Sequence, residues 1–116
     1  MQDSLHAQVD AWRSQLRKGS LELAVLVALH KRPRYGLELA DLLNQLKLGI
    51  SEGSIYPLLS RLKAEGKVET EWVEEKTGHA HKYYRLTNDG RAICRLMIAA
   101  WRDFDRAFNR LLEDKP

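Results

Sequence analysis

Apolar residues in this chain keep a helical period as far as Gly66, lose it up to Thr87, and recover it for the rest of the sequence. This order limits the fold more than any other feature. A run of helices, then two short pairing segments, then one long helix must all share a single small core, and few architectures allow that.

The opening segment, Asp3 to Arg17, places Leu5, Val9, Trp12 and Leu16 at spacings of 4, 3 and 4, the stripe of an amphipathic helix. Gly19-Ser20 punctuates it, and "SLELAVLVALHKRP" predicts a second helix, capped by Ser20 and ended by Pro33. Leu21, Ala24, Val25, Ala28 and Leu29 form one face of that helix, while Leu23, Leu26 and Val27 fill much of the rest, as expected of a core helix. A third helix follows a turn at Tyr35-Gly36, with Leu39, Leu42, Leu43 and Leu46 inside and Gly49 at its end. A fourth, Glu52 to Glu65, begins shortly after, with Ser51 as its N-cap and Gly66 as its stop. Two helices joined by so tight a glycine-containing link have the grammar of a helix-turn-helix.

Beyond Gly66, "KVETEWVEE" and "HKYYRLT" are short, rich in Val, Thr, Trp and Tyr, and separated by a polar stretch containing Gly78. They predict a β-hairpin with Tyr84 and Leu86 facing inward and Tyr83 and Arg85 outward. Thr87 or Asn88 then caps a helix running to about Glu113. The expected fold is mainly α with a small β-hairpin (α+β), a winged helix-turn-helix over residues 19–87. Residues 1–18 form an N-terminal helix packing in a dimer, and residues 88–116 a long C-terminal dimerisation helix.

The chain has 116 residues, room for one compact domain, and its 44% apolar content is that of a globular protein. No apolar run approaches the ~20 residues that cross a bilayer, and the polar opening "MQDSLHAQVDAW" does not resemble a secretory signal. The expectation is a cytoplasmic protein with no membrane partner. Cys94, the single cysteine, fits a reducing compartment and reads as a small buried hydrophobe. A net charge of +3 leans toward an anionic partner, but no segment is strongly basic, so placement of charge has to identify that partner. No nucleophile-base set, phosphate-binding glycine loop or paired carboxylates can be found, so the chain is not expected to be an enzyme.

In the fourth helix Ile55, Leu58, Leu59 and Leu62 make the core face. Gly53, Tyr56, Ser60 and Lys63 are left outside, flanked by Ser54, Pro57 and Arg61. This outer face offers a small backbone-approach point, hydroxyls and cations, and suits the major groove of double-stranded DNA as well as plain solvent. Pro57 breaks a helix rule: either the helix begins near Ser54 or it starts bent. In the last helix Ile93, Met97, Ala100, Phe104, Ala107 and Leu111 keep strict 4-3 spacing, and Ile98, Trp101, Phe108 and Leu112 widen the stripe. An apolar face that wide after a complete small domain calls for a partner: the same helix of a second subunit, helped by the Trp12 stripe. His79 and His81 share one side of a strand, but no further ligand stands near them. Metal is therefore disfavoured and no cofactor is implied.

Taken together, "LRKGSLELAVLVAL", "YGLELADLL", "SEGSIYPLLSRLKAEGKVE" and "KYYRLTNDG" resemble, in order and spacing over about residues 16 to 92, the PadR family of bacterial transcriptional regulators. The single C-terminal helix with Trp101 resembles its short subfamily. The resemblance implies a homodimeric winged helix that represses detoxification or efflux promoters at a near-palindromic operator, with some members answering to phenolic acids or lipophilic drugs. It implies DNA contacts from Tyr35 and Gly36, from Gly53, Ser54, Tyr56, Pro57 and Lys63 of the recognition helix, and from Gly78, His79, His81 and Lys82 of the wing. Ser60 joins them from its place on the outer face. The dimer interface would draw on Leu5, Val9, Trp12, Ile93, Met97, Ala100, Trp101, Phe104, Phe108 and Leu111. Met97, Trp101, Phe104 and Phe108 are candidates for a cleft holding a small aromatic or lipophilic effector, or simply for dimer packing. Family members often carry Arg or Lys where His81 stands and an aromatic where Leu37 stands. His81 makes the wing's phosphate contact weaker or pH-dependent by expectation, an idea that equal affinity at pH 6 and pH 8 would sink. Two rival readings stay open: a winged-helix module that docks another protein through its aromatic helix, and a metal-responsive regulator using His79 and His81.

Overall fold

A computed structural model describes residues 2–49 and 52–114. Its elements are α1 (Gln2–Lys31), β1 (Arg34–Tyr35), α2 (Gly36–Gln45), α3 (Glu52–Ala64), β2 (Val68–Glu74), β3 (Ala80–Leu86) and α4 (Asn88–Leu112). The expected Ser51 cap lies outside the described residues.

The first correction concerns α1. Two helices split at Gly19-Ser20 were expected, but one helix of 30 residues runs straight through. A glycine inside a helix costs only about 1 kcal/mol, which the burial of Leu21, Val25, Leu26, Ala28 and Leu29 further along outweighs. Ser20 does not cap: its hydroxyl donates back to the Leu16 carbonyl at 2.8 Å, the bond a serine makes within a continuing helix.

The second correction is at Tyr35. Instead of a turn, Arg34 and Tyr35 form a short third strand, and the sheet order is β1-β3-β2, all antiparallel. Pro33 ends α1, leaving the next two residues extended, and Tyr35 keeps extended backbone (φ −89, ψ 164) as α2 begins. Arg34 pairs with Tyr84 and Tyr35 with Tyr83.

The core is a single cluster in which Val25, Leu26, Leu39, Leu43, Ile55, Leu59, Leu62 and Cys94 are fully buried. Burial pushes the Cys94 thiol up, which suits an inert core residue. Tyr84 and Leu86 face this core while Arg85 is exposed, the alternation expected of a half-buried strand.

Tight joints set the angles between elements. At the end of α3, Gly66 takes φ +75, Gly66 N–H donates to Lys63 O and Lys67 N–H to Leu62 O. That is a Schellman stop, and it turns the chain into β2. Thr87 caps α4 by accepting from Gly90 N–H at 3.0 Å, and its hydroxyl donates to Gly66 O at 2.6 Å. One side chain thus fastens the start of α4 to the end of α3.

Candidate nucleic-acid interface

Recognition by a helix-turn-helix needs an exposed helix face held rigid from behind. α3 meets both conditions. Ile55, Leu59 and Leu62 anchor it, and Gly53, Tyr56, Pro57, Ser60 and Lys63 lie on its exposed side, with Ser54 half-buried. Pro57 sits inside the helix and cannot bond back to the Gly53 carbonyl, so one backbone acceptor of the first turns is released on that side. Lys63 enters no ion pair among the described residues. Arg61, by contrast, is bound to Glu22 at 3.1 Å and Glu65 at 3.2 Å. Those carboxylates hold its guanidinium above its ordinary range, Glu65 first, and Lys67 and Arg61 hold the Glu65 carboxyl below its own. Arg61 therefore ties α3 to α1.

Tyr56 is 41% exposed and lies over Gly36, where an added Cβ would stand 2.5 Å from its Cε1. Gly36 is itself buried and offers no side chain to a ligand; it makes room for the ring.

The hairpin has two unlike faces. Pairing sets Val68 opposite Leu86, Thr70 opposite Tyr84, Trp72 opposite Lys82 and Glu74 opposite Ala80 on the face that continues from the core. The other face carries Glu69, Glu71 and Val73 opposite Arg85, Tyr83 and His81. There Arg85 holds Glu69 at 2.9 Å and Glu71 at 3.4 Å, and Tyr83 O–H donates to Glu75 at 2.6 Å. That hydrogen bond and the nearby carboxylate charge push the Tyr83 phenol up to about 12. The tip holds Gly78 (φ +85) and an exposed His79.

Adjacency in sequence separates His81 from Lys82. Lys82 faces the recognition-helix side, its ammonium 5.7 Å from the Tyr84 ring centroid. His81 is half-buried, stacked on Tyr35 with ring centroids 4.3 Å apart, and its Nδ1 lies 3.9 Å from Glu75. Among the described residues no group of three or more His, Cys, Asp or Glu side chains is placed to hold an ion.

The aromatic helix divides into two parts. Ile93 and Met97 pack against the chain's own core, while Ala100, Trp101, Phe104, Phe108 and Leu111 are exposed, as are Leu5, Val9 and Trp12 on α1. Trp101 lines an apolar cleft of about 450 Å³, but its companions there are Ala24, Val27, Leu42, Leu46 and Leu48. Met97, Phe104 and Phe108, expected beside it, do not line that cleft. The α1 segment, apolar nearly all round, walls this cleft: Leu23 and Val27 remain half-buried because they border it. Trp72 lies on the face of β2 that continues from the core, a placement the cross-strand pairing fixes.

Residues 25–95 match the transcriptional regulator PadR-like family. A PadR family transcriptional regulator from Eggerthella lenta is 31% identical, with TM-score 0.82 over 95% of this chain and 96% of its own. A PadR-like transcriptional regulator from Bacillus cereus is 34% identical, with TM-score 0.79 over 84% and 96%. An uncharacterised Lysinibacillus sphaericus protein is 24% identical over 104 residues, 87% of this chain and 95% of that one. Proteins of this family are transcriptional regulators rather than enzymes. With a winged helix whose outer face is polar and cationic, and a match across most of its core, this chain belongs to the PadR-like family of DNA-binding transcriptional regulators.

Proposed function

We propose that the protein acts in the cytoplasm as a homodimeric repressor that occupies promoter DNA of detoxification or efflux genes. The observation that carries this reading is the pairing of one polar, cationic α3 face with uncovered apolar surface elsewhere on the same chain. Tyr56, Ser60 and Lys63 enter a major groove, and the wing reaches the adjoining backbone. Leu5, Val9 and Trp12 of α1, with Trp101, Phe104, Phe108 and Leu111 of α4, meet the same surfaces of a second copy. Two recognition helices related by a two-fold axis then read a near-palindrome with half-sites about one turn (~10 bp) or a multiple apart. A flat aromatic or lipophilic molecule bound beside Trp101 relieves repression by favouring a dimer in which both helices cannot reach the DNA.

The test is fluorescence anisotropy of the purified protein on its own upstream DNA against a scrambled duplex, over a salt series. Tight, salt-sensitive and promoter-selective binding, weakened by Tyr56→Ala and by Lys63→Ala, is the expected result. Weak binding that is equal on both duplexes and indifferent to the substitutions refutes it in favour of a protein-docking module.

A further inference from the structure

Trp72 stands in β2, on the wing. Trp72 is 68% exposed, more than Trp12 or Trp101, yet it lies on the hairpin face that continues from the core. Together with Lys82, Tyr84, Leu37 and Tyr56 it lines a shallow concavity of about 280 Å³ between the wing and the recognition helix. The side of β3 that borders this hollow is open. β1 pairs only with Tyr83 and Tyr84, so Ala80 to Lys82 have no strand neighbour there among the described residues.

We propose that Trp72 and Lys82 form a seat for one strand of the DNA backbone where it passes from the recognition helix to the wing. The inference deepens the proposed function and rests on it. Charge decides the occupant. Three of the wing's glutamates, Glu69, Glu71 and Glu75, are engaged by Arg85 and Tyr83 away from Trp72, and Glu74, which shares the Trp72 face, stands at the tip end opposite Ala80 and does not line the hollow. The hollow itself is lined by the Trp72 indole, the phenols of Tyr35, Tyr56 and Tyr84, the His81 imidazole and the Lys82 ammonium, with no carboxylate among them, a set that attracts a chain of alternating apolar sugars and anionic phosphates. Continuity decides the path. Tyr56 belongs to the major-groove helix and to the hollow alike, so a strand leaving that groove meets Trp72 next. The indole covers a deoxyribose while its N–H and the Lys82 ammonium donate to flanking phosphates. Such a contact adds affinity without reading sequence.

The experiment measures affinity of the full chain and its variants for promoter and scrambled duplexes. Trp72→Ala is expected to weaken both by about tenfold, leaving their ratio and the salt slope unchanged. Lys82→Gln should weaken both and lower the slope of log affinity against log salt by about 1 per subunit. Trp72→Phe should retain most of the binding, and thermal melting of the exposed-site variants should match the parent. Affinity of Trp72→Ala within twofold of the parent overturns the seat while leaving DNA binding intact. A loss of promoter preference in that variant overturns it as well, because it makes Trp72 a base reader. If the parent protein binds neither duplex, the DNA reading fails and the seat falls with it.

Discussion

The Tyr56 ring covers Gly36 so closely that a methyl group at residue 36 would meet Cε1 at 2.5 Å. The first residue of α2 therefore positions the most prominent side chain of α3. The atoms in conflict belong to the far end of a half-exposed side chain, which can swing away. Gly36→Ala should thus leave melting nearly unchanged while displacing Tyr56. Promoter affinity should drop by about 1 kcal/mol, the lower end of what a lost groove contact costs, read by anisotropy alongside a thermal melt.

Gly90 presents the opposite case. A Cβ there would stand 1.9 Å from the Lys67 carbonyl oxygen, and backbone cannot step aside. Gly90→Ala should destabilise by about 3 kcal/mol or more, since overpacking is compounded by strain on the Thr87 cap. Urea unfolding should show the midpoint falling with an unchanged slope.

Gly19 meets nothing within 4 Å of an added Cβ and lies inside α1. Gly19→Ala should raise stability by about 1 kcal/mol through helix propensity alone. A variant that melts at or below the parent temperature would contradict a continuous α1.

Tyr83 provides a pH test. Its hydrogen bond to Glu75 raises the phenol to about 12 in the folded chain, above its ordinary value of 10. The folded state then holds a proton that the unfolded state releases. The stabilisation is complete below pH 10 and is lost as pH climbs from 10 to about 12. Burial raises the Tyr84 phenol as well, so ultraviolet titration should show Tyr83 and Tyr84 ionising late, and Tyr83→Phe should remove one of these late steps.

Phe104 is exposed on the aromatic side of α4, its ring 5.3 Å from Phe108. Phe104→Glu should convert the proposed dimer to monomer by sedimentation, because a carboxylate would be buried without a partner. Melting of the winged domain at high dilution should be unaffected.

The sequence reading succeeded where periodicity and burial point the same way. Ile55, Leu59 and Leu62 revealed the inner face of α3, and Tyr84 with Leu86 revealed the inner face of β3. It failed where a local rule met a stronger tertiary term. Gly19-Ser20 looks like an interruption, but the apolar run after it is long enough to carry a helix across. Arg34-Tyr35 looks like a turn, and only the presence of β3 as a neighbour makes it a strand. The site divided in the same way. Tyr56 and Lys63 could be placed from helix spacing alone. The separation of His81 from Lys82 follows from strand alternation alone, whereas which partners Trp72 meets across the hairpin depends on register, which composition does not encode.

The unbroken α1 has a mechanical consequence. At 30 residues it is a rod of about 45 Å, and its inner half is part of the DNA-binding core while its outer half bears Leu5, Val9 and Trp12. Had a hinge stood at Gly19, motion at the outer end would dissipate there. As a stiff lever, it would convert a tilt of ~5° at the proposed subunit contact into a displacement of ~4 Å at the far end, comparable to the spacing of stacked base pairs. In the proposed dimer, α1 itself would carry a change in packing toward the recognition helix, to which Glu22 ties it through Arg61.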